Sequence, residues 1–142
     1  MTDATFEKVE HSDNRLYGPC KLLLCGFGVP AQPKFLSVRN MAGLRDVPVI
    51  WAGDADREFP LAELLERSDG SGADTASTLP RAIIVSGITE NQLHSLMTLC
   101  RKAGMQPVLW AALTPTSETW PLDQLLTELQ AERRALAKRS KK

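Results

Sequence analysis

The chain has 142 residues, 17 Lys and Arg against 17 Asp and Glu, and 43% hydrophobic residues. That length fits one ordinary domain, and the balanced charge excludes a global attraction to nucleic acid or to an anionic membrane surface. The three cysteines, Cys20, Cys25 and Cys100, form an odd set that reads as reduced thiols in a cytoplasmic setting. The acidic, polar opening Met-Thr-Asp-Ala-Thr-Phe-Glu does not read as a signal peptide, and no apolar run approaches the length of a membrane span.

Residues 1–19 are polar with scattered Phe6, Val9, Leu16 and Tyr17, and read as a loose arm. Lys21-Leu-Leu-Leu-Cys25-Gly26 is a short apolar run closed by glycine, the pattern of a strand buried on both faces. Pro30 and Pro33 delay the following helix, which is expected from Pro33 to Ala42 with Gly43 as its cap. Val47-Pro-Val-Ile-Trp-Ala52 is a second strand, Gly53-Asp-Ala-Asp56 a loop, and Pro60 opens a helix that places Leu61, Leu64 and Leu65 on one side. The small, polar residues 69–79 read as a flexible linker that buries no core. Arg81–Gly87 is the third strand. Thr89-Glu-Asn-Gln92 is a capping box opening a helix with the stripe Leu93, Leu96, Met97, Cys100 and Ala103, closed by Gly104. Pro107–Ala112 is the fourth strand and Leu113–Thr119 a loop. Trp120-Pro121 opens the last helix, which carries Leu122, Leu125, Leu126 and Leu129 and ends in a basic tail, 135–142.

These elements repeat. Gly26 matches Gly87, Ala42-Gly43 matches Ala103-Gly104, and Pro48-Val-x-Trp-Ala matches Pro107-Val-x-Trp-Ala. Pro60-Leu-x-x-Leu-Leu likewise matches Pro121-Leu-x-x-Leu-Leu. The offset is 61 residues at the first strand and at the last helix. It slips only in loops, where length changes are tolerated. We therefore read residues 20–68 and 80–134 as two βαβα repeats. Two strands make no stable sheet alone. The expected fold is α/β, with the repeats joined into one four-stranded mixed sheet, pseudo-twofold, with helices packed on it. The first strands of the repeats should be adjacent at the centre. The sequence leaves open whether helices cover one face or both.

In the second repeat, Ala111-Ala-Leu-Thr-Pro-Thr-Ser-Glu-Thr-Trp120 is followed by Leu122, Leu125, Leu126 and Glu128. This stretch resembles the bacterial domain-of-unknown-function family 3783 over about residues 81–134. The resemblance implies a fold unit and a bacterial source, and no activity. In the first repeat Gly53–Phe59 replaces the Leu-Thr-Pro-Thr loop, and Phe59 stands where the second has Trp120.

Candidate binding residues cluster after the strands, where α/β sheets gather ligands. Gly26-Phe27-Gly28-Val-Pro30-Ala31 fits the pattern G-x-G-x-x-A, and Asp54 follows the next strand where a ribose-binding acid would stand. Against that nucleotide reading, Pro30 and Pro33 make a poor phosphate-facing helix start, and the second repeat places Glu90 where phosphate would sit. Asp54, Asp56 and Glu58 form an acidic loop able to hold a cation, or simply a solvated turn. Thr114, Thr116 and Trp120 mark the other loop, as a ligand site or as turn chemistry and packing. Trp51 and Trp110 hold matched positions that suit core packing or an interface.

The isolated His11 and His94 and the cysteines lack the neighbours that nucleophilic catalysis requires, and no cofactor or metal is expected. Arg133, Arg134, Lys138, Arg139, Lys141 and Lys142 give a tail able to touch nucleic acid, or to offset a helix dipole while solvated. The reading that results is a non-catalytic binding or scaffolding module, with a protein partner or a homodimer formed through open strand edges. The alternatives are a nucleotide or small-anion binder and a weak nucleic-acid contact through the tail.

Overall fold

The computed structural model describes residues 14–105 and 107–140, with side chains up to residue 137. Most of the expected N-terminal arm, His11, and the side chains of Lys138, Arg139, Lys141 and Lys142 lie outside the described residues. The strands are β1 (Lys21–Cys25), β2 (Val49–Ala52), β3 (Ala82–Ser86) and β4 (Leu109–Ala112). The helices are α1 (Ala31–Met41), α2 (Leu61–Leu64), α3 (Glu90–Lys102) and α4 (Leu122–Ser140). Short 3-10 turns occupy Asp54–Asp56 and Ser117–Thr119.

The sheet is mixed, in the order β2-β1-β3-β4. β1 runs parallel to β2, β3 parallel to β4, and β1 antiparallel to β3, so the first strands of the two halves are neighbours at the centre. Alternation along each strand sends side chains to two faces. Leu22, Leu24, Val49, Trp51, Ile83 and Val85 share a cluster with Phe35 and Val38 of α1 and Leu93, Leu96 and Cys100 of α3. Leu23, Cys25, Ile50, Ile84, Leu109 and Ala111 share a second cluster with Leu61 and Leu64 of α2 and Leu122, Leu125 and Leu126 of α4. Helices therefore cover both faces. The strands read as unbroken apolar runs because both of their faces are dry.

Four elements depart from the sequence reading, one of them β4, which starts at Leu109 and not at Pro107. α1 starts at Ala31, ahead of Pro33. A proline in the first turn removes an N–H that has no intrahelical partner there, so Pro33 is tolerated inside the helix. β2 starts at Val49, two residues later than expected; the carbonyl of Pro48 already accepts the Leu22 N–H at 3.0 Å. The segment between the halves does reach the core, since Leu79 is buried.

That segment also runs along the outer edge of β2. The Val49 N–H donates to Asp69 Oδ1, the Gly70 N–H to the Val49 carbonyl and the Trp51 N–H to the Ser71 carbonyl, each at 2.8 Å. Gly72 lies so close that a Cβ there would fall 2.0 Å from the Trp51 carbonyl oxygen, and its φ of +80° is one that L side chains rarely adopt.

Candidate functional site

The β1–α1 loop is filled by the protein itself. Gly26 has φ +74°, and a Cβ there would sit 2.3 Å from the Leu79 carbonyl oxygen. The glycine lets the chain entering β3 pass close by. Gly28 needs no such freedom, since an added Cβ would meet only Pro30 at 3.7 Å. Phe27 is buried edge-on against Phe35 and Trp51, with centroids 5.7 and 6.2 Å away, and the Arg81 guanidinium lies 4.8 Å from its centroid. The buried Gln32 accepts the Asp74 N–H at 2.8 Å. At the start of α1, the Ala31 N–H donates to the Gly28 carbonyl and the Gln32 N–H to the Val29 carbonyl, at 2.9 and 3.2 Å. Pro33 has no N–H. The first turn thus offers no free backbone donor, and phosphate recognition at a helix start depends on such donors.

The two acids after β2 are separately engaged. Asp54 Oδ1 accepts from the Thr78 N–H and the Thr78 hydroxyl, both at 2.9 Å. The Thr78 backbone bond is the main reason the Asp54 carboxyl titrates below its ordinary value, with the hydroxyl second. Asp56 accepts the Gly53 N–H at 2.8 Å and pairs with Arg67 at 3.0 Å. Among the described residues, no group of three or more His, Cys, Asp or Glu is placed to hold a metal ion.

The loop after β4 repeats this capping with different chemistry. The Thr114 N–H donates to Ser117 Oγ at 3.1 Å, and the Ser117 N–H donates to Thr114 Oγ1 at 2.9 Å. Gly53 with Asp56 and Thr114 with Ser117 stand at the same offset of 61 residues. Thr116 is exposed, with its carbonyl accepting the Thr119 hydroxyl at 3.3 Å. Trp120 is half-buried against the α2–α4 cluster. Glu118 accepts the Tyr17 hydroxyl at 2.9 Å, and that bond is the main cause of a raised Tyr17 phenol.

Gly26, Gly28, Asp54 and Asp56 follow the β1–β2 pair, whereas Thr114, Thr116 and Trp120 follow β4. Because β1 and β3 are antiparallel, the carboxyl ends of the two parallel pairs point to opposite ends of the sheet. The candidates therefore form two loop clusters. Among the described residues these meet around the bridge of Pro60 with Pro121, where Leu61 bonds to Trp120, Leu122 to Phe59, and Arg57 pairs with Asp123 at 2.8 Å.

On the outer edge of β4 the sequence reading named only Trp110, as a core or interface residue matched to Trp51. Leu109 and Leu113 donate their N–H groups to the Arg81 and Val85 carbonyls at 3.0 and 2.9 Å. Alternation then turns the N–H and C=O of Trp110 and Ala112 outward, and they have no partner among the described residues. Nothing described here corresponds to the 69–72 segment that fills the β2 edge. Trp110 is accordingly half-buried where Trp51 is buried. Two grooves, of about 320 and about 270 Å³, adjoin the start of this strand, and Pro107 and Arg133 line both. The first also has Arg81 and Arg134, the second Arg101 and Trp110. The signal in the sequence was the uncharged run Pro107–Leu113.

Residues 81–136 match the family model of a domain of unknown function, DUF3783. The DUF3783 match runs from β3 into α4 and so includes the open edge, while β1, β2 and the edge-covering segment lie outside it. No curated protein and no solved structure gives a significant match. Among the described residues, no helix is long and apolar enough to cross a membrane.

Proposed function

We propose that this protein is a non-catalytic, cytoplasmic binding module of bacterial origin that takes up an extended segment of a protein partner along β4. One observation carries the reading: the outward N–H and C=O groups of Trp110 and Ala112 are unpaired among the described residues, while both of those groups of Val49 and the N–H of Trp51 are used by residues 69–71. An open sheet edge is a ready template for another strand, and main-chain hydrogen bonds to an added strand give affinity in such complexes. The strand also lacks the lysine, proline or bulge with which edges are commonly blunted. We read the two halves as products of an internal duplication, supported by their sequence match and by reciprocal contacts at the common offset. On that reading the first half closed its own edge and the second keeps its edge for a partner.

A photo-crosslinking residue placed at 110 in cells tests this. A discrete protein adduct is expected, lost when Ala112→Pro is added and absent when the crosslinker replaces Trp51. No adduct at 110, or one that survives Ala112→Pro, overturns the reading.

A further inference from the structure

Charge around the open edge narrows what it accepts. Arg133, on α4, crosses to the beginning of β4 and donates from a guanidinium nitrogen to the Val108 carbonyl at 3.2 Å. Arg134 joins it in the lining of one groove and Arg101 in that of the other, Arg81 with its guanidinium over Phe27 also lines the first, and neither lining contains a carboxylate. Among the described residues, none of these four arginines forms a salt bridge. Cations thus gather at one end of the strand, beside Pro107 and Val108. Trp110 lines the same groove as Arg101 and Arg133, and from there the strand carries no charge as far as Leu113.

Resting on the β4-edge reading, we infer that the partner is an extended acidic segment. It pairs by its backbone with Trp110 and Ala112, and it carries carboxylates at the end that lies beside Pro107 and Val108. Arginine suits this role, because its planar fork binds a carboxylate through two parallel hydrogen bonds. The Arg133 contact with Val108 holds one such fork against the strand. A second copy of β4 would bring no carboxylate to this end, since Val108–Leu113 contains none.

The test uses the full chain and three synthetic peptides: acetyl-Glu-Glu-Thr-Val-Thr-Val-amide, the same residues in reverse order, and the first with lysine for glutamate. One direction of the glutamate peptide is expected to bind at least about tenfold more tightly than the lysine peptide, with the difference shrinking as salt is added. Arg101→Gln with Arg133→Gln should remove most of that difference. Ala112→Pro should abolish binding altogether; the N–H it removes takes no part in the β3–β4 ladder, so the edge tolerates it. Slowed hydrogen exchange at the Trp110 and Ala112 amides of the unmutated protein on peptide addition gives a readout independent of that variant.

Equal binding of glutamate and lysine peptides, sensitive to Ala112→Pro, would overturn the acidic preference and leave the edge reading standing. Failure of every peptide at millimolar concentration, with both amides still exchanging freely, would overturn both. If both amides are already protected without peptide, the occupant is something else. A concentration-dependent dimer lost on Ala112→Pro would then identify a second copy, and exposure on deletion of residues 1–13 would identify the chain itself. Either result overturns the acidic-segment proposal.

Discussion

Pro60 and Pro121 face each other across an antiparallel bridge, with reciprocal hydrogen bonds on either side. The Leu61 N–H donates to the Trp120 carbonyl and the Leu122 N–H to the Phe59 carbonyl, both at 3.0 Å. Each partner is displaced from its counterpart by 61 residues. The bridging prolines donate nothing, so the flanking leucines make the bonds. Gly26 and Gly87 obey the same relation: one meets the chain entering β3, the other the chain entering β1.

This relation predicts matched stability losses. A Cβ on Gly87 would lie 2.4 Å from the Gly18 carbonyl oxygen, and one on Gly26 would lie 2.3 Å from that of Leu79. Gly26→Ala and Gly87→Ala should each cost about 3 kcal/mol or more in urea unfolding, from backbone clash added to the left-handed φ. Gly43 and Gly104 share the positive φ but have open space around them, so their alanine variants should cost only about 1 kcal/mol.

Ser86 stands at the position matching Cys25, and its hydroxyl is buried without a hydrogen-bond partner among the described residues. A buried polar group left unpaired costs about 1–3 kcal/mol. Ser86→Ala should therefore raise the unfolding free energy by about 1 kcal/mol. A loss of stability would show that the hydroxyl makes a bond in solution.

Asp54 should titrate below the usual aspartate range in an NMR carboxyl titration, because Thr78 donates twice to its ionised form. Thr78→Val removes the hydroxyl donor and should move that titration partway back up. With the folded pKa lowered, the associated stabilisation is present above the unfolded aspartate pKa and is lost as pH falls through the folded value. Asp54→Asn should accordingly flatten the acid limb of the stability curve.

Thiol labelling should single out Cys20, which is exposed. Burial pushes the Cys25 thiol up to about 12 and the Cys100 thiol up to about 11, so neither supplies thiolate at pH 8. Both should label only at the rate of unfolding.

Nucleotides at millimolar concentration should leave the thermal midpoint unchanged. The G-x-G-x-x-A stretch leads into a helix start whose donors are already taken, and ligands that bind the native state raise apparent stability. An upward shift would count against the assignment of Gly26 to chain packing.

The order of strands and helices was legible in the sequence alone, because local rules govern it. Unbroken apolar runs make strands buried on both faces, the Leu93–Cys100 stripe makes a helix, and Thr89 with Gln92 caps it. The matching Pro-Leu-x-x-Leu-Leu blocks placed the helix starts that meet at Pro60 and Pro121. Local pattern misread Pro30 and Pro33 because proline is unfavourable in a helix interior and harmless in a first turn. It separated the Asp54 loop from the Thr114 loop by composition, although Gly53–Asp56 and Thr114–Ser117 perform the same cap with a carboxylate and a hydroxyl. Only the tertiary structure decided which strand edge is free. The small, polar residues 69–72 carry no pattern that says where they lie, and their backbone bonds to β2 exist only once the sheet has formed. Edge coverage is a contact between segments distant in sequence, so Trp51 and Trp110 look identical in the chain and differ in the fold.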